Sequence, residues 1–156
     1  MSDFEIIPFN NKFVQFFINL NIEWLEFFFE VEPYDYEILK NCEALIINKG
    51  GYIFFAKHEN EIIGTFAFIN RVEKIYEIVK MAIKPDQRGK GYGNKMIEFA
   101  ISFGKKNNWK KIYLYSSTKL KNSIYLYKKH NFKEVRIGDE NPYKRGDIKM
   151  ELYYNN

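Results

Sequence analysis

Arg88-Gly89-Lys90-Gly91-Tyr92-Gly93 leaves a segment rich in Val, Met and Ile and enters one with helical periodicity. Glycine at alternate positions lets backbone N–H groups crowd a ligand where any Cβ would collide. A helix also starts with orphan amide donors at the positive end of its dipole, so such a junction binds phosphate. Arg88 and Lys90 add full positive charges. The chemistry is that of a phosphate cradle, and spacing decides which kind. A P-loop requires Ser or Thr after Gly-Lys, whereas Gly91 follows Gly89-Lys90 here. A dinucleotide fold sets its third glycine one residue later and places the loop after the first strand, and this loop comes far along the chain. Neither fits.

Presenting the loop requires a strand before it and a helix after it. Residues 74–83, stopped by Lys84-Pro85, read as the strand, and Met96, Ile97, Ala100, Ile101 and Gly104 share one side of the helix. Upstream, residues 4–9 read as a first strand ending at Pro8. Asn10 or Asn11 then caps a helix whose apolar residues fall at Phe13, Phe16, Phe17, Leu20, Trp24, Phe27 and Phe28. Intervals of three and four mark one buried face, and the stripe reads as core. Pro33 interrupts it, and a shorter helix covers 34–41. Gly50-Gly51 turns into a strand over 52–56, and His58-Glu59-Asn60-Glu61 joins that to a strand over 62–69 as a hairpin. Residues 111–116 read as a strand, Ser117 or Thr118 as an N-cap, and Leu120, Ile124 and Tyr127 as the inner face of a further helix. Strands over 132–137 and 148–153 finish the chain. The order β-α-α-β-β-β-α-β-α-β-β predicts an α/β fold with a mixed sheet of about seven strands and about four helices, in a single domain spanning 1–156.

Composition excludes several classes. A chain of 156 residues with 46% hydrophobic content buries a sizeable core and is not disordered. The fifteen Phe and twelve Tyr carry no functional weight by themselves. The net charge of +4 comes largely from Lys-Lys pairs between 105 and 133, which read as solvated faces, so no nucleic-acid partner is expected. One cysteine excludes an internal disulfide framework, and without metal-type Cys/His spacing no metal is expected; Cys42 reads as an inert, partly buried thiol. The acidic Met1-Ser2-Asp3-Phe4-Glu5 is no signal peptide, and no apolar run reaches the ~20 residues of a membrane span, so a cytoplasmic protein with no membrane partner is expected. His58 and His130 read as surface residues without a role.

The pattern Gln or Arg, two residues, Gly, one residue, Gly or Ala is satisfied by Arg88, Gly91 and Gly93. It resembles the pyrophosphate loop of the GNAT superfamily of N-acetyltransferases. Glu77-Ile78-Val79-Lys80-Met81-Ala82-Ile83 resembles the strand before that loop in histone acetyltransferases, glutamate included. Asn122, Leu126-Tyr127 and Asn131-Phe132 resemble the Asn, Leu-Tyr, Gly-Phe helix motif of the family, and Met150-Glu151-Leu152 its final strand. The first 70 residues, including Glu23-Trp24-Leu25-Glu26, are similar to a bacterial single-domain subgroup. One departure is Asn131, where the family has Gly. That helix-end position requires a left-handed backbone, and Asn is the next-best residue for it.

The resemblance implies a largely antiparallel sheet splayed at the cofactor site and acetyl-CoA as co-substrate, with no metal. It sets the pyrophosphate on the amides of Arg88, Gly89, Lys90, Gly91, Tyr92 and Gly93. Backbone groups of Met81, Ala82 and Ile83 would meet the pantetheine, and an amide there would polarise the thioester carbonyl. Asn122 would contact the coenzyme through its amide; its alternative is a plain cap. Glu77 is the candidate base. On an unbroken strand it shares a face with Val79, Met81 and Ile83, and desolvation there raises its pKa towards a useful value. A solvated strand-end glutamate is the competing reading. Tyr127 would hydrogen-bond or protonate the departing sulfur, unless it is an ordinary core tyrosine; Tyr125 faces elsewhere.

The acceptor half has no readable motif. Glu30, Glu32, Asp35 and Glu37 flank the break between the first two helices and either attract a cationic amine or stay solvated, with Tyr143 and Arg145 as further candidates. The expected reaction is transfer of the acetyl group of acetyl-CoA to a primary amine of a small molecule or peptide by direct attack in a ternary complex. The alternative is a non-catalytic acyl-CoA-binding regulatory module on the same fold. Exposed final strands leave a homodimer open.

Overall fold

Seven stretches rich in Ile, Phe and Tyr form one sheet in the computed structural model, which describes residues 3–155: β1 (Glu5–Pro8), β2 (Tyr52–His58), β3 (Glu61–Val72), β4 (Ile75–Ile83), β5 (Lys111–Ser116), β6 (Lys133–Val135) and β7 (Ile148–Tyr153). The spatial order is β1-β2-β3-β4-β5-β7-β6, antiparallel throughout except for the β4/β5 pair. Residues 62–69 of β3 are all buried, which explains their unbroken apolar character: both faces of the sheet are covered. On one face lie α1 (Val14–Phe28), α2 (Pro33–Lys40) and α3 (Cys42–Leu45); on the other lie α4 (Tyr92–Lys106) and α5 (Lys121–Lys129). No helix is long and apolar enough to cross a membrane among the described residues.

The predicted elements are present, with local differences. The helix expected over 34–41 is followed by a separate turn, α3, making five helices instead of about four. Cys42 sits there fully buried, and burial pushes its thiol pKa up. The aromatic stripe of α1 is not one buried face: Phe17, Leu20 and Leu25 are buried, but Phe16 is exposed and Phe27 is 67% exposed. The helix after β5 is capped by neither Ser117 nor Thr118. Those residues form a turn, in which Ser117 Oγ accepts from the Lys119 amide, and α5 starts at Lys121. The aromatic surplus builds the core on the α4 face, where Trp109 is packed among Phe68, Phe103 and Tyr52.

Two irregularities of β4 matter for the site. Between the pairs Ala67↔Val79 and Thr65↔Ala82, two steps on β3 are matched by three on β4, and Lys80 takes a left-handed φ of +56°. This is a β-bulge, and it reverses the alternation downstream. Val79 joins the core under α1 and α2, as does Ala82, whereas Met81 and Ile83 pack on the α4 side with Ile78. The unbroken strand expected from sequence, with Glu77, Val79, Met81 and Ile83 on one face, does not form. The second irregularity is pairing. β4 and β5 are joined only through Ile75↔Lys111, Tyr76↔Ile112 and Glu77↔Tyr113, while β5 stays paired with β7 up to Ser116↔Ile148. The sheet is therefore open between residues 78–83 and 114–116.

Candidate active site

The opening widens into a cleft of about 490 Å³ lined by 78–83, Leu114 to Ser117, the start of the glycine loop and α5. That is ample for a small-molecule site. At its loop end, Gly89 and Gly91 have φ of +75° and +86°, and Gly91 is the residue on which α4 begins. An added Cβ at either would meet nothing within 4 Å, so glycine is required there by backbone conformation and not by room within the protein. Among the described residues, none of the amides of residues 89–94 is donated to another part of the chain, whereas the Lys95 amide bonds Gly91 O. A row of free donors at a helix start is an anion site in the making.

The charged side chains of the loop behave differently from one another. Arg88 turns away from open solvent: its Nε bonds Ile83 O at 3.0 Å, its Nη2 meets Glu23 at 2.5 Å, and it lies over Phe27 and Phe28. It ties the loop to β4 and α1. Lys90 is exposed, and Tyr92 stacks on Phe4 at 5.2 Å with His58 alongside, anchoring the start of α4 to β1 and β2. Of the predicted cofactor residues, Met81, Ala82, Ile83, Arg88, Gly89, Gly91, Gly93 and Asn122 line the cleft; Lys90 and Tyr92 do not.

Both predicted catalytic residues line it too. Glu77 marks the point where β4 and β5 separate and is 2% exposed. Arg71 Nε and Nη2 both reach its Oε1, at 2.9 and 2.6 Å. Burial nevertheless outweighs the attraction of Arg71 and raises the carboxyl pKa above its ordinary 4.5. The solvated strand-end reading fails. Tyr127 is held by the end of its helix. Asn131 takes φ +72°, its amide bonds Lys128 O, and the Phe132 amide bonds Tyr127 O at 3.0 Å. This is a Schellman ending, and its customary apolar contact is Phe132 against Tyr127, 5.8 Å between ring centres. Burial lifts the Tyr127 phenol pKa to about 12, so it carries its proton at neutral pH. His130, expected at the surface, is half-buried, and its Nε2 pairs with Asn94 Oδ1 at 2.7 Å, joining α5 to the first turn of α4.

At the other end the acidic residues are not solvated as a group. Glu30 and Glu37 are exposed, but Asp35 is 0% exposed. Arg145 grips it bidentately, 2.8 Å on each oxygen, and also reaches Glu32 at 3.3 Å. Lys80 bonds Asp35 as well and meets the Tyr143 hydroxyl at 3.1 Å. Burial would raise the Asp35 pKa, but Arg145 and Lys80 together hold it below its ordinary 3.8; burial dominates at Lys80 and lowers its pKa. The bulge that swings Lys80 towards α2 costs about 1–3 kcal/mol in backbone strain. Lys80 escaped the sequence reading, although a lysine inside the apolar run Ile78-Val79-Lys80-Met81-Ala82-Ile83 was a visible sign. Trp24 and Phe28, expected in the core stripe, are half-buried, and with Phe29 they form an aromatic wall of the cleft.

The model of the acetyltransferase (GNAT) family matches residues 17–132. The chain belongs to that family. This GNAT chain is an acetyltransferase by membership, and solved GNAT structures share its shape. A GNAT-family acetyltransferase from Staphylococcus aureus Mu50 superposes with a TM-score of 0.85 at 23% identity, over 96% of this chain and 98% of that one. An acetyltransferase from Streptococcus agalactiae gives 0.82 at 18%, over 99% and 100%. Spermidine N-acetyltransferase from Vibrio cholerae, in complex with CoA and spermine, gives 0.74 at 21%, over 97% and 95%. No protein of curated function matches the GNAT chain by sequence.

Proposed function

We propose that residues 1–156 act as one N-acetyltransferase domain that moves the acetyl group of acetyl-CoA to a primary amine in a ternary complex. One observation carries the reading: Gly89, Gly91, Gly93 and Asn94 with their free amides, the unpaired edge of β4, Glu77 and Tyr127 all line one cleft. The residues suit a coenzyme A thioester. Amides 89–94 suit a diphosphate, and the unpaired edge over Met81, Ala82 and Ile83 suits the amide-bearing pantetheine arm. Asn122, at the start of α5, is placed to add an amide contact. The bound thioester supplies the activated acyl carbon. The shared fold with an enzyme named for acetylating spermidine supports an amine acceptor.

The incoming ammonium must lose a proton before its nitrogen can attack. Glu77 takes that proton, directly or through water, because its raised pKa brings it closer to an amine's; both Arg71 bonds fall on Oε1, so Oε2 is the accepting atom. The nitrogen then forms the C–N bond as the C–S bond breaks, and the sulfur leaves as a thiolate. Tyr127, still protonated at neutral pH, donates to it and is reprotonated, directly or through water, by the second proton that the nitrogen sheds as it becomes the neutral amide. Free-thiol release from acetyl-CoA across a panel of amines tests the reading. Tyr127→Phe should lower kcat by roughly 10²–10⁴-fold, and Glu77→Gln comparably, with calorimetric affinity for CoA retained. In the parent, kcat/KM should fall as pH drops through the raised Glu77 value, and this limb should vanish in Glu77→Gln. Tight CoA binding with no transfer to any amine would instead leave a non-catalytic acyl-CoA-binding module.

A further inference from the structure

The acceptor end of the cleft has an electrostatic composition that narrows what can enter. Of the charged residues lining the whole cleft, one is acidic, Glu77, and three are basic: Lys80, Arg88 and Arg145. Glu77 is already paired with Arg71. The acidic residues behind the wall, Glu32 and Asp35, are fully engaged by Arg145 and Lys80. Among the described residues lining the cleft no unpaired carboxylate remains to receive a second ammonium, and Lys80 and Arg145 put two cations in its wall. A carboxylate-bearing acceptor fares no better. Arg145 commits Nη1 and Nη2 to Glu32 and Asp35, and Lys80 Nζ already serves Asp35 and the Tyr143 hydroxyl.

What the wall does offer is apolar area. Trp24 lies 5.1 Å from Phe28 and 5.9 Å from Phe29, ring centre to ring centre, and Leu120 extends the surface. Lys119, in the turn before α5, secures this wall, its Nζ bonding Phe28 O at 2.7 Å and lying over the Phe29 ring. Aromatic faces accept a flat apolar body through burial and ring stacking, and tolerate one ammonium beside them.

We infer that the acceptor is a primary amine with a single charge on an apolar or aromatic body, and not a polyamine or an amino acid with a free carboxylate. The inference rests on the N-acetyltransferase reading and specifies its substrate class. The test uses the full chain with acetyl-CoA and thiol detection, comparing 2-phenylethylamine, spermidine and phenylalanine. 2-Phenylethylamine should be favoured in kcat/KM by about tenfold or more over each of the others, a margin within reach of pocket contacts. Phe29→Ala should raise KM for 2-phenylethylamine roughly tenfold while leaving KM for acetyl-CoA unchanged. Phe29→Leu, which keeps the apolar volume but removes the ring, guards against a folding defect and should show a smaller shift in the same direction. Preference for spermidine or phenylalanine would overturn the inference while leaving N-acetyl transfer standing. Absence of thiol release with every amine would overturn both.

Discussion

The loop end of the cleft is made from main chain, at Gly89, Gly91, Gly93 and Asn94 with their free amides, whereas the acceptor end is made from side chains drawn from residues as distant as Asp35, Lys80 and Arg145. The first kind of site needs two glycines in left-handed conformation and a helix start, all of which lie within one short motif. The second needs three separate elements to meet, with every buried charge matched by an opposite one. A main-chain site is thus a local property of the sequence, while a buried ionic network is a property of the completed fold. Substitutions at the two ends should fail in different ways.

The largest effect on stability is expected at Asp35. Asp35→Asn leaves Lys80 and Arg145 without their shared buried counterion, and should cost about 3–5 kcal/mol in urea unfolding. A loss under about 1 kcal/mol would mean that water reaches the network and that the contrast between the two ends is wrong. The acid limb carries the same information. Because the folded pKa of Asp35 lies below the ordinary 3.8, its contribution is complete above that value and is lost as pH falls through the folded one. Asp35→Asn should therefore flatten the drop in stability below about pH 4.

Next in size is Gly91→Ala. With φ at +86°, a Cβ imposes about 1–2 kcal/mol of strain or forces the loop to turn. Calorimetry should show weakened CoA binding, while relative rates among acceptors stay as in the parent. The smallest effect sits between the ends. Asn131→Ala puts a Cβ-bearing residue with little left-handed preference at φ +72° and should cost about 1 kcal/mol, whereas Asn131→Gly should match or slightly exceed the parent in thermal unfolding. If Asn131→Ala also lowers kcat without changing KM, the helix ending is what holds Tyr127 in register.

The sequence made the loop end readable for the reasons just given. Gly89 and Gly91 announced a backbone that a ligand can approach closely, the periodicity of Met96, Ile97 and Ala100 announced α4, and the Asn131-Phe132 pair announced how α5 ends; each signal is local. Strand β7 was legible to the residue for the same reason. The bulge at Lys80 was not. It depends on how β4 matches β3, and without it Glu77 was assigned to the face of Met81 and Ile83 that the structure gives to Ile78. The neutralisation of Glu32 and Asp35 was invisible too, since it takes Arg145 from a loop some 110 residues downstream. Periodicity assigns Trp24 and Phe28 to the core because it reports an apolar face but cannot say whether protein or substrate will cover it.

The parting of β4 from β5 leaves the molecule with a seam down its middle, edged by peptide groups. Peptide groups are the same whatever side chain they carry, so a guest stitched into that seam is gripped by chemistry that mutation scarcely touches. Drift in side chains can then proceed far without loosening the grip, which is in keeping with relatives that hold this shape at only 18–23% identity.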